Sequence, residues 1–215
     1  MIRLSGSGTE LMSTRRHGSE DALGQLPFTQ IVNQRDATVL IGGLGMGFTV
    51  AAALESAGPN ARIIVAELLP EVVDWNHGPL GQKSGRPLDD PRTTLHLGDV
   101  SELLKQASGR YDIIALDTDN GPEGLVAGKN DWLYSASGIA ATMRALQPDG
   151  VIAYWSATSD PAFVKRLRRA GAKVFEKRVH AHGTKGTRHT IWLASPTGEY
   201  RNQELRKGLQ DARRK

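Results

Sequence analysis

The chain has 215 residues, a formal net charge of +4 and no cysteine. That length suits one large domain rather than two, and the missing cysteine excludes disulfides, thiolate metal sites and a cysteine nucleophile. No apolar run approaches the ~20 residues needed to span a bilayer, and the opening MIRLSGSGTE holds no apolar stretch suited to a secretion signal.

The expectation is a cytoplasmic protein without a membrane partner. Basic residues concentrate towards the end, where Tyr200 to Lys215 carries six Lys or Arg against two acids. A basic tail can meet nucleic acid, but a solvated helix face is the plainer reading, so nucleic acid is not favoured as a partner.

Residues 1–16 read as a short strand or arm around Glu10-Leu11-Met12-Ser13. Ser19 is an expected N-cap for a helix over Glu20 to Leu26, with acids in its first turn, and Pro27 is expected to end it. Thr29 to Asp36 reads as a further short helix or turn. The first sheet strand is Thr38–Gly42. Gly42-Gly43-Leu44-Gly45-Met46-Gly47 then leads into a helix over Gly47–Ser56. Strand, glycine turn and helix make the front of a nucleotide-binding unit. The glycines let backbone approach a ligand, and the helix start offers free N–H groups.

Arg62–Glu67 is the second strand, followed by a helix from Pro70 to about Trp75 with proline at its first position. Gly78 to Pro91 is a long Gly-, Pro- and Asp-rich loop, of the kind that is often functional. Thr93–Leu97 is the third strand, with a helix over Val100–Ala107. The fourth strand, Tyr111–Leu116, runs into the loop Asp117–Asp131. A helix over Ser135–Leu146 stops at Pro148-Asp149-Gly150, Val151–Trp155 is the fifth strand, and a helix over Pro161–Ala170 ends at Gly171. Two more strands, Lys173–Val179 and Arg188–Ala194, flank a polar loop His180–Thr187.

Five strands alternating with helices give a parallel sheet with helices on both faces. Two strands joined only by a glycine-bearing loop are antiparallel neighbours. The expected fold is therefore α/β, a Rossmann-like class I methyltransferase fold, with a seven-stranded, mostly parallel sheet ending in an antiparallel hairpin. The expected organisation is an N-terminal arm with short helices over 1–36, an S-adenosylmethionine-type nucleoside-binding catalytic domain over 37–195, and a basic tail over 196–215.

Ligands of such sheets sit at the carboxyl ends of the strands. Gly43, Gly45 and Gly47 follow the first strand, and Glu67 ends the second. Asp99 follows the third, while Asp117, Asp119 and Asn120 follow the fourth. Trp155 ends the fifth.

Glu67 lies about twenty residues past the glycine loop, the spacing at which an acid reaches a ribose diol. Asp99 can accept from an adenine amino group or cap the helix behind it. Paired acids such as Asp117 and Asp119 attract cations and can deprotonate a nucleophile, although Asp-Thr-Asp-Asn-Gly-Pro is also strong turn chemistry. Tyr134, after Trp132, can hold a sulfonium or ammonium by cation–π attraction or simply pack in the core. His17, His180, His182 and His189 show no metal-ligand spacing and read as surface or capping residues. No metal is expected.

Leu40 to Gly47, Glu67, Gly98-Asp99 and Tyr111-Asp112-Ile113-Ile114-Ala115-Leu116-Asp117 resemble the spermidine/spermine synthase (polyamine aminopropyltransferase) family. Ser19-Glu20-Asp21-Ala22-Leu23-Gly24-Gln25-Leu26-Pro27-Phe28 is similar to that family's Tyr-His-Glu-x-Leu-x-His-x-Pro-Leu lead-in. The resemblance implies decarboxylated S-adenosylmethionine as donor and an amine as acceptor. It implies that Glu67 holds the ribose, Asp99 the adenine, and Asp117 positions the amine and takes its proton. Asp119, Asn120, Tyr134 and Trp155 are the expected substrate contacts. Three departures stand out: Gly45 replaces the family's loop aspartate, Ser19 replaces a tyrosine near the substrate, and Asp119-Asn120-Gly121-Pro122 replaces Asp-Ser-Ser-Asp-Pro. A methyltransferase using S-adenosylmethionine on a small molecule or RNA is the alternative, a non-catalytic nucleoside binder the second, and a homodimer stays open.

Overall fold

The computed structural model describes residues 2–3, 10–12, 17–117, 131–182 and 185–197. Strands β1 (Ile2–Arg3) and β2 (Glu10–Met12) pair antiparallel. The main sheet contains β3 (Thr38–Gly42), β4 (Arg62–Glu67), β5 (Thr93–Leu97), β6 (Tyr111–Leu116), β7 (Leu146–Ser156), β8 (Lys173–His182) and β9 (Lys185–Ser195). Helices α1 (Gly18–Gln25), α2 (Phe48–Ser56), α3 (Pro70–His77), α4 (Val100–Gln106), α5 (Asp131–Tyr134), α6 (Ala136–Ala145) and α7 (Pro161–Arg169) lie between or before these strands.

The strand order is β5-β4-β3-β6-β7-β9-β8. Pairing is parallel from β5 to β7 and antiparallel from β7 through β9 to β8. Seven strands in this order, with an antiparallel hairpin at one edge, make the Rossmann-like class I methyltransferase fold. The order reverses at β3, so the crevice between the ends of β3 and β6 is the topological switch point where such sheets take ligands.

The inner parallel strands β3, β4 and β6 carry apolar runs because both faces of the sheet are covered there. Successive side chains point to opposite faces. Val39, Ile41, Ile113 and Ala115 thus join Leu23 of α1, Val50 of α2 and Val72 of α3 in one core. Leu40, Ile114 and Leu116 join Leu104 of α4, Ile139 of α6 and Phe163 of α7 in the other.

Side chains fix several helix starts. Asp99 Oδ1 accepts from Ser101 N at 2.7 Å, Ser135 Oγ from Gly138 N at 3.1 Å, and Asp160 Oδ1 from Phe163 N at 2.9 Å. Each satisfies an amide that has no partner in the first turn.

Three expectations are corrected. Ser19 is not an N-cap: α1 begins at Gly18 with His17 in the cap position, and Ser19 is fully buried inside the helix. The stretch His180–Thr187 is not one loop, because β8 runs to His182 and β9 begins at Lys185. The pairs Val179–His189, His180–Arg188 and His182–Lys185 extend the ladder across a register shift, since an antiparallel edge can carry polar side chains on its open face. The fifth strand also starts earlier, with Leu146 pairing to Tyr111 before the Pro148-Asp149-Gly150 irregularity.

The long 78–91 segment folds back on α3. Arg86 N donates to Gly81 O at 2.6 Å, Thr93 Oγ1 donates to Pro87 O at 2.8 Å, and Ser84 and Pro87 are buried.

Candidate functional site

The glycine loop is held from both sides. Gly43 N donates to Ala66 O at the end of β4, and Asp117 N donates to Gly42 O from β6. Gly43 has φ +96°, and a Cβ there would lie 2.2 Å from Asp117 O, so only glycine lets the two strand ends close. Gly45 and Gly47 also have positive φ. Gly47 precedes α2, packed against Asn76, Ser84 and Pro87, and Asn76 Nδ2 donates to Gly45 O at 2.8 Å. The 78–91 segment and α3 therefore buttress the loop from beneath.

Glu67 is almost fully buried, and each carboxylate oxygen takes one backbone amide: Oε2 from Leu44 N and Oε1 from Leu69 N, both at 2.9 Å. It thereby fixes the glycine loop to the end of β4. Each oxygen keeps a second lone pair. Leu68, Leu69 and Leu97 stand exposed beside Glu67 and Asp99, giving that side of the crevice an apolar ledge. Asp99, half-buried, spends one oxygen on its helix cap.

Asp117, half-buried at the end of β6, accepts a hydrogen bond from Thr49 Oγ1 at 2.9 Å on Oδ2. Glycine loop, Glu67, Asp99 and Asp117 thus occupy four neighbouring strand ends, as the sequence led one to expect. Asp119 and Asn120 lie outside the described residues.

Two expected substrate contacts have different surroundings. Tyr134 is 5% exposed and lies in the α6/α7 core, its ring 5.4 Å from Phe163 and 6.0 Å from Tyr154. Its ring packs with the aromatics against the sheet, the core alternative that the sequence also allowed. Trp155 is buried with its ring edge-on to His189 at 4.8 Å, and its indole N–H has no hydrogen-bond partner among the described residues.

The start of α1 brings in groups that sequence reasoning missed. His17 Nδ1 contacts both Asp21 oxygens at 2.8 and 2.9 Å, and its ring stacks on Phe48 at 4.0 Å, at the first turn of α2. Ser19 Oγ donates to Glu20 Oε2 at 2.5 Å and lies 2.8 Å from His189 Nδ1. Burial above all, with Asp21 adding repulsion, pushes the Glu20 carboxyl up from its ordinary value, while the Ser19 hydroxyl and His17 pull the other way. The four-residue spacing of His17 and Asp21 on one helix was the available signal. Among the described residues, no group of three His, Asp or Glu side chains could hold a metal ion, and no helix is long and apolar enough to cross a membrane.

Comparison with known proteins points the same way as this geometry. A family model described as the spermine/spermidine synthase domain matches residues 17–181. A polyamine aminopropyltransferase of Nitrosomonas europaea is 34% identical over 95 residues, which cover 44% of this chain and 28% of that relative. The chain therefore spans well under half the length of that relative. Among solved structures, spermidine synthase from Thermotoga maritima superposes with a TM-score of 0.66 at 20% identity, covering 88% of this chain and 64% of that one. A precorrin-6y C5,15-methyltransferase from Geobacter metallireducens superposes with a TM-score of 0.57 at 21% identity, covering 79% and 84%. At these identities the superpositions speak for the fold, and the family model, running from the start of α1 into the hairpin, decides membership. The chain belongs to the spermine/spermidine synthase domain family.

Proposed function

We propose that this protein is an aminopropyltransferase-type enzyme of the cytoplasm that moves an aminopropyl group from decarboxylated S-adenosylmethionine to a small amine. The observation that carries the reading is the pairing of Glu67 and Asp117 on either side of one glycine loop at the switch point. In this reading Glu67 accepts from the ribose hydroxyls with its free lone pairs. The adenine lies along the Leu68–Leu97 ledge towards Asp99, and the sulfonium meets the crevice at Asp117.

The amine lone pair forms a bond to the carbon beside the sulfonium. The carbon–sulfur bond breaks, its electron pair stays on sulfur, and methylthioadenosine leaves. The new ammonium loses a proton to the Asp117 carboxylate, which Thr49 holds in place. Catalysis is then largely positioning and proton removal.

Gly45 favours a second reading. Where the family has an aspartate, this loop has no acid to repel a donor that keeps its carboxylate, so methyl transfer from S-adenosylmethionine fits that position.

Calorimetry with both donors separates the two readings. Tenfold preference for the decarboxylated donor, about 1.4 kcal/mol, supports aminopropyl transfer. Preference for the intact donor supports methyl transfer. Binding of neither, or equal binding by Glu67→Ala, overturns the nucleoside site itself.

A further inference from the structure

Asn76 of α3 meets two glycines of the glycine loop with one carboxamide. The residue is 3% exposed. Its Nδ2 donates to Gly45 O at 2.8 Å and to Val72 O, one turn back in its own helix, at 2.9 Å. Two carbonyl acceptors fix which end of the carboxamide is the nitrogen. Oδ1 is therefore the atom beside Gly47, 2.9 Å from where a Cβ would stand. It meets no donor among the described residues.

Leu44 to Gly47 is a four-residue turn, closed by Gly47 N donating to Leu44 O at 2.8 Å. Glu67 Oε2 holds the first amide of that turn, on Leu44. The Gly45 carbonyl belongs to the central peptide of the turn. Gly45 has φ +52° and no side chain to restrain that plane, so the bond from Asn76 supplies the restraint. In a planar trans peptide the carbonyl and the following N–H point opposite ways. With the Gly45 carbonyl drawn to Asn76, the Met46 amide is turned away from it.

That orientation matters to a charged ligand. A backbone N–H attracts a carboxylate, whereas a carbonyl oxygen attracts an ammonium and repels a carboxylate. The two donors weighed above differ in that one group: S-adenosylmethionine keeps its tail carboxylate and the decarboxylated form lacks it.

We propose that Asn76 is a positioning residue that sets donor choice. By holding the Gly45 carbonyl against α3, it leaves the loop to meet the donor tail with an amide instead of a carbonyl, and so moves the balance towards the donor that keeps its carboxylate. Asn76 is buried and acts only through the loop. The inference rests on the nucleoside site proposed above, with the donor tail at Gly45, and not on which group is transferred.

The test is calorimetry with S-adenosylmethionine, its decarboxylated form and methylthioadenosine, which lacks the tail, on wild type, Asn76→Leu and Asn76→Ser. Both replacements are neutral, so no new charge acts on the donor. Leucine keeps the branched shape without the N–H groups, and serine, one bond shorter, serves if Asn76→Leu folds poorly. The ratio of the two donor affinities should move about tenfold towards the decarboxylated donor, the scale of one hydrogen bond to a charged group, while methylthioadenosine binding changes little. Equal losses for all three ligands, an unchanged ratio or a ratio moving towards the intact donor overturns the proposal and leaves Asn76 a brace of the loop. Carbon-13 NMR of the Gly45 carbonyl needs no ligand: its shift should differ between wild type and both variants, and an identical shift overturns the restraint itself. Failure of methylthioadenosine to bind wild type overturns the nucleoside site, and the proposal with it, so the two failures are told apart.

Discussion

Thr49 Oγ1 donates a 2.9 Å hydrogen bond to Asp117 Oδ2, so the first turn of the helix after the glycine loop grips the carboxylate at the end of the neighbouring strand. The bond couples the glycine-loop side of the crevice to Asp117, the group proposed to take the proton. Asp117→Asn keeps the shape and removes the base. It is expected to cut turnover by about 10²–10⁴ while donor affinity stays within a few-fold. Thr49→Val leaves the carboxylate but frees its rotation, with an expected loss of about tenfold in kcat, at the lower end of the 1.5–3 kcal/mol for a bond to a charged group. Steady-state kinetics beside calorimetry checks both. Equal loss of donor affinity and turnover in Asp117→Asn would assign Asp117 to binding instead.

Glu67 braces the loop with both carboxylate oxygens, and in the proposed reading the same two oxygens hold the ribose. Glu67→Ala leaves Leu44 N and Leu69 N without their acceptor. Each orphaned amide costs about 1–3 kcal/mol, and about 2–4 °C of Tm is expected per kcal/mol in a domain of this size. Glu67→Gln keeps one acceptor oxygen, so it should recover part of the thermal stability. Its amide cannot serve both backbone groups and a ribose diol, so donor affinity should still fall ten- to a hundredfold. Thermal unfolding and calorimetry on both variants separate the brace from the binding role.

Gly43→Ala probes the close approach of two strands. The added methyl would meet Asp117 O at 2.2 Å with φ at +96°, a conformation that costs a non-glycine residue about 1–3 kcal/mol before any clash. The variant should lose stability by at least that amount and bind donor more weakly, because the displaced backbone carries Asp117 with it. Gly85→Ala is the control: its φ is +77° with nothing near its Cβ position, so it should show the backbone cost without the loss of donor binding.

The sheet was legible because its inner strands carry apolar runs, Val39–Ile41, Ile63–Ala66 and Ile113–Leu116, and because strand ends in such folds are ligand positions whatever the ligand. Thr38–Gly42, Arg62–Glu67 and Thr93–Leu97 matched their expected bounds residue for residue. The hairpin was read too short because polar residues on an open edge look like a loop. Tyr134 was left between crevice and core because an aromatic after a site loop has the same sequence signature in either place, and its ring packs on Phe163 and Tyr154. The Ser19–His189 contact was not legible at all: its partners are 170 positions apart, and only the folding of α1 against the hairpin makes them neighbours.

Two carboxylates should give stability profiles of opposite slope. Glu20 has its pKa raised above the ordinary 4.5, chiefly by burial, so the folded state binds its proton more tightly than the unfolded chain does. Its contribution is fully present below that ordinary value and is lost as pH rises through the raised folded value. Glu20→Gln, permanently neutral, should therefore gain stability relative to wild type as pH climbs from about 4 towards 7. Asp90 has its pKa lowered from 3.8, chiefly by hydrogen bonds from Arg92, with Nη2 to Oδ2 at 2.8 Å and Nε to Oδ1 at 3.0 Å. Its contribution is present above the unfolded value and lost as pH falls through the lower folded one. The pair is partly exposed, so Asp90→Asn should cost about 0.2–1 kcal/mol near neutrality, the deficit closing as pH drops below about 4. Urea unfolding of the three proteins at pH 3.5, 5 and 7 reads both trends. A Glu20→Gln profile parallel to wild type would mean that the carboxyl is as well solvated in the folded protein as in the unfolded chain.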